Sequence, residues 1–419
     1  MTQYAVTWHP HTDNLGDDLL TLAASCLLPR VDRVLNADCL DAPLDDLEPD
    51  DRIVTLMCGD VMRHPVHWPP ERHIAPAITG AHFSHEDIWG VPFSEIGETG
   101  LKYLAACGTI GCRDQRTVAL MESMGLPCQL TACLTLTLKK PEVSAPARPY
   151  MVMCDVPEDV QRALKEHVSG IDLRTATHLI TENEQDYEIR MHAAHDMLKL
   201  YAAAQCVVTR RLHCAMACLA IGTPVLLLYH ADYEDVTRFA PMHGMLQTET
   251  MEKFLARVRA SRFIPRWKNP DDVQQWKDIL LRSVREAVAR AESIPLPILR
   301  PEEATAWRQA RTTRMASSAA RKIHRLESER YEQLHEKFSL VLREDAAKSA
   351  LTTLLAEPEV RRGLENAALR RCLSTVKWYK RPLLWWKIRR GKVETEDLYQ
   401  LALDVLSPLG WPDSHLPEA

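Results

Sequence analysis

No two cysteines stand in a C-x-x-C pair, although the chain carries 12 of them. That spacing argues against a dithiol redox motif or a zinc ribbon, and the scattered thiols read as reduced, mostly small buried hydrophobes. A zinc site from His213, Cys214 and Cys218 is the one metal reading the local spacing admits. No run of carboxylates has metal-ligand spacing, so no metal is expected. Charge of neither sign dominates: Lys plus Arg is 51, Asp plus Glu is 57, and the net charge is -6. A dedicated nucleic-acid binder is therefore not expected. The longest apolar run, Cys214 to Tyr229, is broken by Gly222, Thr223 and Pro224 and is too short to span a bilayer. The first residues, Met1 to Trp8, show neither a basic start nor an apolar h-region, so no signal peptide and a cytoplasmic location are expected. There is no fixed-period repeat and no common phosphate loop.

What is present is ordinary globular material. The 419 residues are 46% hydrophobic and 26% charged, enough for two or three domains with proper cores. Short apolar runs alternate with helix-like stretches through about residue 290. Strands are expected at Tyr4–Trp8, Arg52–Met57, within His73–Phe83, at Thr109–Cys112, Tyr150–Cys154, Thr177–Ile180, Cys206–Thr209 and Pro224–Tyr229. Helices are expected at Asp17–Ala23, Gln115–Met124, Glu158–Val168, Glu188–Ala204 and Leu212–Ile221. Such alternation marks a parallel, doubly wound sheet. Lys139 to Pro149 holds three prolines and no apolar run, which reads as a linker, and Pro295 to Pro301 is a second break. The expected organisation is an N-terminal Rossmann-like domain over 1–140, a linker over 141–149 and a second Rossmann-like domain over 150–294. A helical extension over 302–419 follows. Two such halves leave a cleft between them for ligands.

Four segments sit at strand ends, where ligands bind in such sheets. Asn14-Leu15-Gly16-Asp17-Asp18 opens the first helix; taken alone it is also a good turn with an Asp cap. Gly111-Cys112-Arg113-Asp114 enters a helix, and its Arg either faces the crevice or makes a surface ion pair with Asp114. Thr209-Arg210-Arg211-Leu212-His213 combines guanidinium groups suited to phosphate or carboxylate with an imidazole able to move a proton. Ala77 to Phe83 ends a strand on His82.

Together with His67-Trp68-Pro69-Pro70, Cys133 to Leu138, Ala220 to Val225 and Asp232 to Phe239, these segments resemble the polysaccharide pyruvyl transferases in order and spacing over about residues 3–290. Two positions depart from the family pattern: Arg210 stands where a small residue is usual, and Met216-Ala217 where Leu-Pro often occurs. The resemblance implies a GT-B-like pair of Rossmann-like domains. It also implies transfer of the enolpyruvyl unit of phosphoenolpyruvate onto two hydroxyls of a sugar in an envelope or exopolysaccharide precursor. The product is a pyruvate ketal. Phosphoenolpyruvate is the donor substrate and no cofactor is expected; the acceptor is a sugar or a lipid-linked oligosaccharide. His213, His82 and Asp17 are the expected catalytic residues, with His213 as acid and the base left open. Donor binding falls to Arg211, Arg113, Arg238, Leu212, Asn14 and Gly16.

The same architecture also permits a glycosyltransferase using a nucleotide-sugar, or a non-catalytic scaffold acting through the C-terminal region. In that region, Lys377 to Lys392 holds seven Lys or Arg, four Trp or Tyr and no acid. Too short and too charged to cross a bilayer, it fits a surface helix or a peripheral contact with the inner face of the cytoplasmic membrane.

Overall fold

The computed structural model describes residues 1–62, 67–86, 91–180, 186–230, 245–260, 265, 267–318 and 325. Two all-parallel sheets carry the fold. In sequence order the first contains β1 (Thr2–Trp8), β2 (Arg33–Asn36), β3 (Arg52–Asp60), β4 (Ile74–His82), β5 (Ile110–Cys112) and β6 (Cys128–Leu130). These lie side by side as β2-β1-β3-β4-β5-β6. The second contains β7 (Tyr150–Cys154), β8 (Asp172–Ala176), β9 (Cys206–Thr209), β10 (Val225–Tyr229) and β11 (Thr248–Thr250), ordered β11-β10-β9-β7-β8. Strand order reverses between β1 and β3 in one sheet and between β7 and β9 in the other. Loops leaving neighbouring strands part there and open a crevice at their carboxyl ends.

The central strands are buried on both faces, which explains their continuous apolar sequences: Ile74–His82 is covered along all but its last residue. Helices α1 (Leu15–Ser25), α2 (Gly97–Ala106), α3 (Gln115–Ser123), α4 (Glu158–His167), α5 (Tyr187–Ala203) and α6 (Leu212–Ile221) supply the crossovers. Asn14 caps α1 and Asp114 caps α3, while Gly222 closes α6 in the left-handed conformation. The architecture is thus α/β with two Rossmann-like halves, as the alternation implies.

One strand expectation is corrected. Thr177–Ile180 is not the edge strand; that place belongs to the more polar Asp172–Ala176, which pairs with β7. The apolar segment instead crosses to the other half. Leu15 N–H donates to His178 O and Ile180 N–H to Asp13 O, each at 2.7 Å. The carbonyl of His178 and the N–H of Ile180 are thus used between halves rather than in a sheet.

Several elements had no sequence expectation: the short strands β2, β6 and β11, helix α2, and helices α7 (Met251–Ala260) and the long α8 (Val273–Ser293). Helix α8 follows the second half in sequence yet packs on strands β3 and β4 of the first. Ser283 and Thr79 share a 2.7 Å hydroxyl bond, and Arg52 donates to Ala291 O. Residues 301–318 are helical, and Trp307 buries its ring beside Tyr103 while donating to Ile96 O at 2.9 Å. Residues 1–322 make one compact unit, and 323–419 are assigned to a second. Apart from Arg325, that second span lies outside the described residues.

Candidate active site

The first wall is the N-terminus of α1. Asn14 Oδ1 accepts from Gly16 N–H at 3.1 Å, and its amide donates to Asp17 Oδ1 at 3.2 Å. Thr12 Oγ1 donates to Asp17 Oδ2 at 2.7 Å. The N–H groups of Leu15, Gly16 and Asp17 are all taken, by His178 O, Asn14 Oδ1 and Asn14 O, so what this end offers an anion is the helix dipole, with Asp17 set beside it. Gly16 is required by proximity rather than by turn geometry. A Cβ there would meet His213 Nδ1, from the other half, at 2.4 Å. His213 Nδ1 lies 4.0 Å from Asp17 Oδ1. Residues 196 and 197 positions apart in sequence therefore meet between the halves, and they are three of the sequence candidates.

The second wall is the turn from β9 to α6. Arg211 caps α6 and turns on a bond from its N–H to Thr209 Oγ1. Its guanidinium Nε donates to Asp155 Oδ2 at 2.8 Å, and the side chain remains 38% exposed. Leu212 is buried beneath, an apolar anchor for the two flanking polar residues rather than a polar contact. Asp155 has φ of +50°, a conformation rare for a side-chain-bearing residue and often found where function demands it. Burial pushes the Asp155 carboxyl up, but the Thr177 hydroxyl, the His178 N–H and Arg211 outweigh it and hold the group below its ordinary value.

The third wall joins β4 and β5. His82 Nδ1 lies 2.8 Å from Asp114 Oδ2, and Arg113 Nε donates to the same oxygen at 3.4 Å. Thr117 gives Asp114 Oδ1 both its N–H and its hydroxyl. The surface ion-pair reading is wrong: Arg113 and Asp114 are both buried. Burial pushes Asp114 up, but His82, Arg113 and Thr117 together hold its carboxyl far below the usual range. An anionic Asp on Nδ1 leaves His82 Nε2 as the atom available for proton transfer. Cys58 lies near the end of β3, and burial, Cys133 and the Asp17 charge push its thiol up while Arg113 pulls it down.

Sequence reasoning missed two supports. Asp155 gave no motif signal, and only its place directly after β7 at the strand-order reversal marks it. Asp18 stands in the Asn14–Asp18 segment, where the sequence alone gives it no role. It is fully buried, accepts from Arg190 Nε at 2.9 Å and from Trp8 Nε1 at 3.0 Å, and ties α5 to α1. Arg238 and the segment Asp232 to Phe239 lie outside the described residues.

Comparison with known proteins gives distant solved structures and one family model. An uncharacterised protein of Klebsiella pneumoniae is 11% identical over 63% of this chain and 93% of its own, with a TM-score of 0.34. The ADP-heptose LPS heptosyltransferase II of E. coli is 11% identical over 70% of this chain and all of its own, with a TM-score of 0.20. No curated protein matches the sequence. Residues 90–233, which include Arg113, Asp114, Asp155, Arg211 and His213, match the family model for polysaccharide pyruvyl transferase.

Proposed function

We propose that the protein transfers the enolpyruvyl unit of phosphoenolpyruvate to a sugar diol of a polysaccharide precursor, forming a pyruvate ketal and phosphate. The observation that carries this is the meeting of His213 with Asp17, residues of the two halves, in a protein that also gathers His82, Asp114 and Arg113 at the ends of β4 and β5. The family match over 90–233 supports it. In the reaction, C3 of the donor gains a proton, C2 gains the first sugar oxygen and the C2–O bond to phosphate breaks. The second hydroxyl then closes the ketal. One hydroxyl proton is balanced by that on C3, the other by phosphate.

The residues divide this work. Arg211 and Arg113 offer charge-assisted donors to the donor's carboxylate and phosphate, and the α1 N-terminus adds the positive end of its dipole. His213, next to Asp17, delivers the proton to C3. His82, oriented by Asp114, takes the proton of the attacking hydroxyl. Arg238 is assigned to the same donor site. These groups provide for anion binding and proton transfer, so the transfer step is proposed to need no Mg²⁺ or Mn²⁺. A lipid-linked acceptor at the inner face of the membrane would suit the basic, aromatic segment 377–392, which lies outside the described residues. Among the described residues no helix is long and apolar enough to cross a membrane.

The test supplies phosphoenolpyruvate or nucleotide-sugars with envelope oligosaccharides and follows phosphate or nucleotide release. Mass spectrometry then reads the acceptor. Phosphate release with a pyruvate-sized mass gain on one sugar is expected, unchanged by EDTA. Nucleotide release alone would replace this reading with glycosyl transfer.

A further inference from the structure

Beneath the crevice floor, three soft metal-ligand side chains converge from three elements. Cys154 ends β7, His178 follows β8, and Cys214 lies in the first turn of α6. All three are fully buried, and one donor atom from each lies within 4.8 Å of the other two. A tetrahedral site with bonds of about 2.0–2.3 Å places its ligand atoms at such separations. The hydroxyl of Tyr201, on α5, reaches the same point: it is 2.8 Å from His178 Nε2 and 3.3 Å from Cys154 Sγ.

We propose that Cys154, Cys214 and His178 form a buried structural zinc site, with the Tyr201 hydroxyl at the fourth position. Charge favours this ion over others. Two thiolates and one neutral imidazole around Zn²⁺ give a net charge of zero, the condition under which so dry a site tolerates ions; Cu⁺ in the same place leaves a buried negative charge. Thiolate ligands likewise select against Mg²⁺ and Ca²⁺, which prefer oxygen. Binding releases the two thiol protons, and loss of the metal returns them. In the metal-free protein burial holds the Cys214 thiol well above its ordinary range, while a bond from Cys214 and burial do the same for Cys154.

The site touches no substrate. Cys154 precedes Asp155, the partner of Arg211, and Cys214 follows His213. An ion there would pin the floor under both residues, joining β7, the segment after β8 and α6. This differs from the grouping of His213, Cys214 and Cys218 that local spacing admits, because it draws on residues 60 positions apart. Being enclosed, the site would fill during folding rather than by exchange.

The test uses the full chain produced in zinc-supplemented and, separately, cobalt-supplemented medium. About one zinc per chain by elemental analysis is expected. The cobalt form is expected to show thiolate-to-metal charge transfer in the near ultraviolet and intense tetrahedral visible bands. Cys154→Ser and Cys214→Ser should remove stoichiometric metal and the charge-transfer band, whereas Cys218→Ser, on the same helix, should keep both. The wild-type cobalt spectrum is read independently of whether any variant folds. Wild-type protein without metal in either medium, or a cobalt spectrum lacking thiolate bands, overturns the proposal, as does unchanged metal in the Cys154 and Cys214 variants.

Discussion

A methyl group at Gly16 would sit 2.4 Å from His213 Nδ1, so Gly16→Ala forces the ring or the α1 terminus to move. Alanine favours a helix over glycine by about 1 kcal/mol, so the fold itself should tolerate the change. A displacement of about 1 Å at a proton donor is worth about 10²-fold in rate. Gly16→Ala is therefore expected to lower kcat by about that factor with little change in melting temperature; unchanged kcat would remove His213 from the proton-transfer role. Arg211 should behave differently. Arg211→Ala is expected to raise the donor KM by about 10–100-fold, the size of a lost partly exposed charge pair, while His213→Ala lowers mainly kcat. Steady-state kinetics with phosphoenolpyruvate varied separates the two. Asp114 adds a pH signature. Its folded pKa lies below the unfolded value of about 3.9, so its contribution to stability is complete above that value and is lost as pH falls toward the folded pKa. The stability cost of Asp114→Asn, measured by urea unfolding, should thus be largest near neutrality and shrink below about pH 4.

Between elements, the buried Asp18–Arg190 pair is the main polar tie of α1 to α5, and Arg190 also donates to Thr12 O. Removing one partner strands the other. Arg190→Met is expected to cost about 3–5 kcal/mol, and adding Asp18→Asn should recover a good part of it, since both charges are then gone. Equal losses for single and double variants, by chemical denaturation, would contradict that. Burial pushes the Asp18 carboxyl up against the pull of Arg190, the opposite direction from Asp114. This level of organisation was only partly legible in sequence. The strands that are buried on both faces announced themselves as apolar runs, and Asn14, Asp114 and Gly222 marked helix ends correctly because capping is local chemistry. Asp172–Ala176 was hidden because it is an edge strand whose side chains are largely exposed, so its sequence is polar. Thr177–Ile180 looked like the strand because it is apolar, but its partner is a loop about 165 residues away, a relation that no local pattern carries. Arg190 was similarly invisible: a lone Arg within an amphipathic helix reads as solvated until Asp18 is brought to it.

At the scale of the whole molecule, α8 returns from the second half to cover β3 and β4, so the halves are tied by more than their linker. Glu292 accepts from Tyr4 near the start of β1, and Arg290 donates to Ala106 O at the end of α2. The helix over 301–318 continues this covering. Trp307 is buried against Tyr103, and Arg308 donates to Pro69 O at 2.7 Å. A truncation meant to remove the C-terminal region must therefore end after residue 318 and not near residue 300. Cutting at 300 would expose Tyr103 and Ile96 and leave the Ile96 carbonyl without its indole donor. That choice decides whether the proposed membrane contact can be tested cleanly. Basic residues near an anionic surface contribute about 1 kcal/mol each, reduced by salt. Full-length protein is therefore expected to float with vesicles containing anionic lipid, to stay behind with neutral vesicles, and to be released by raised ionic strength. The chain ending after 318 should remain at the bottom of the gradient in every case while keeping its thermal unfolding transition. Equal recovery of the two chains with anionic vesicles would mean that 377–392 takes no part in membrane contact, and the acceptor would then be sought among free or nucleotide-linked sugars.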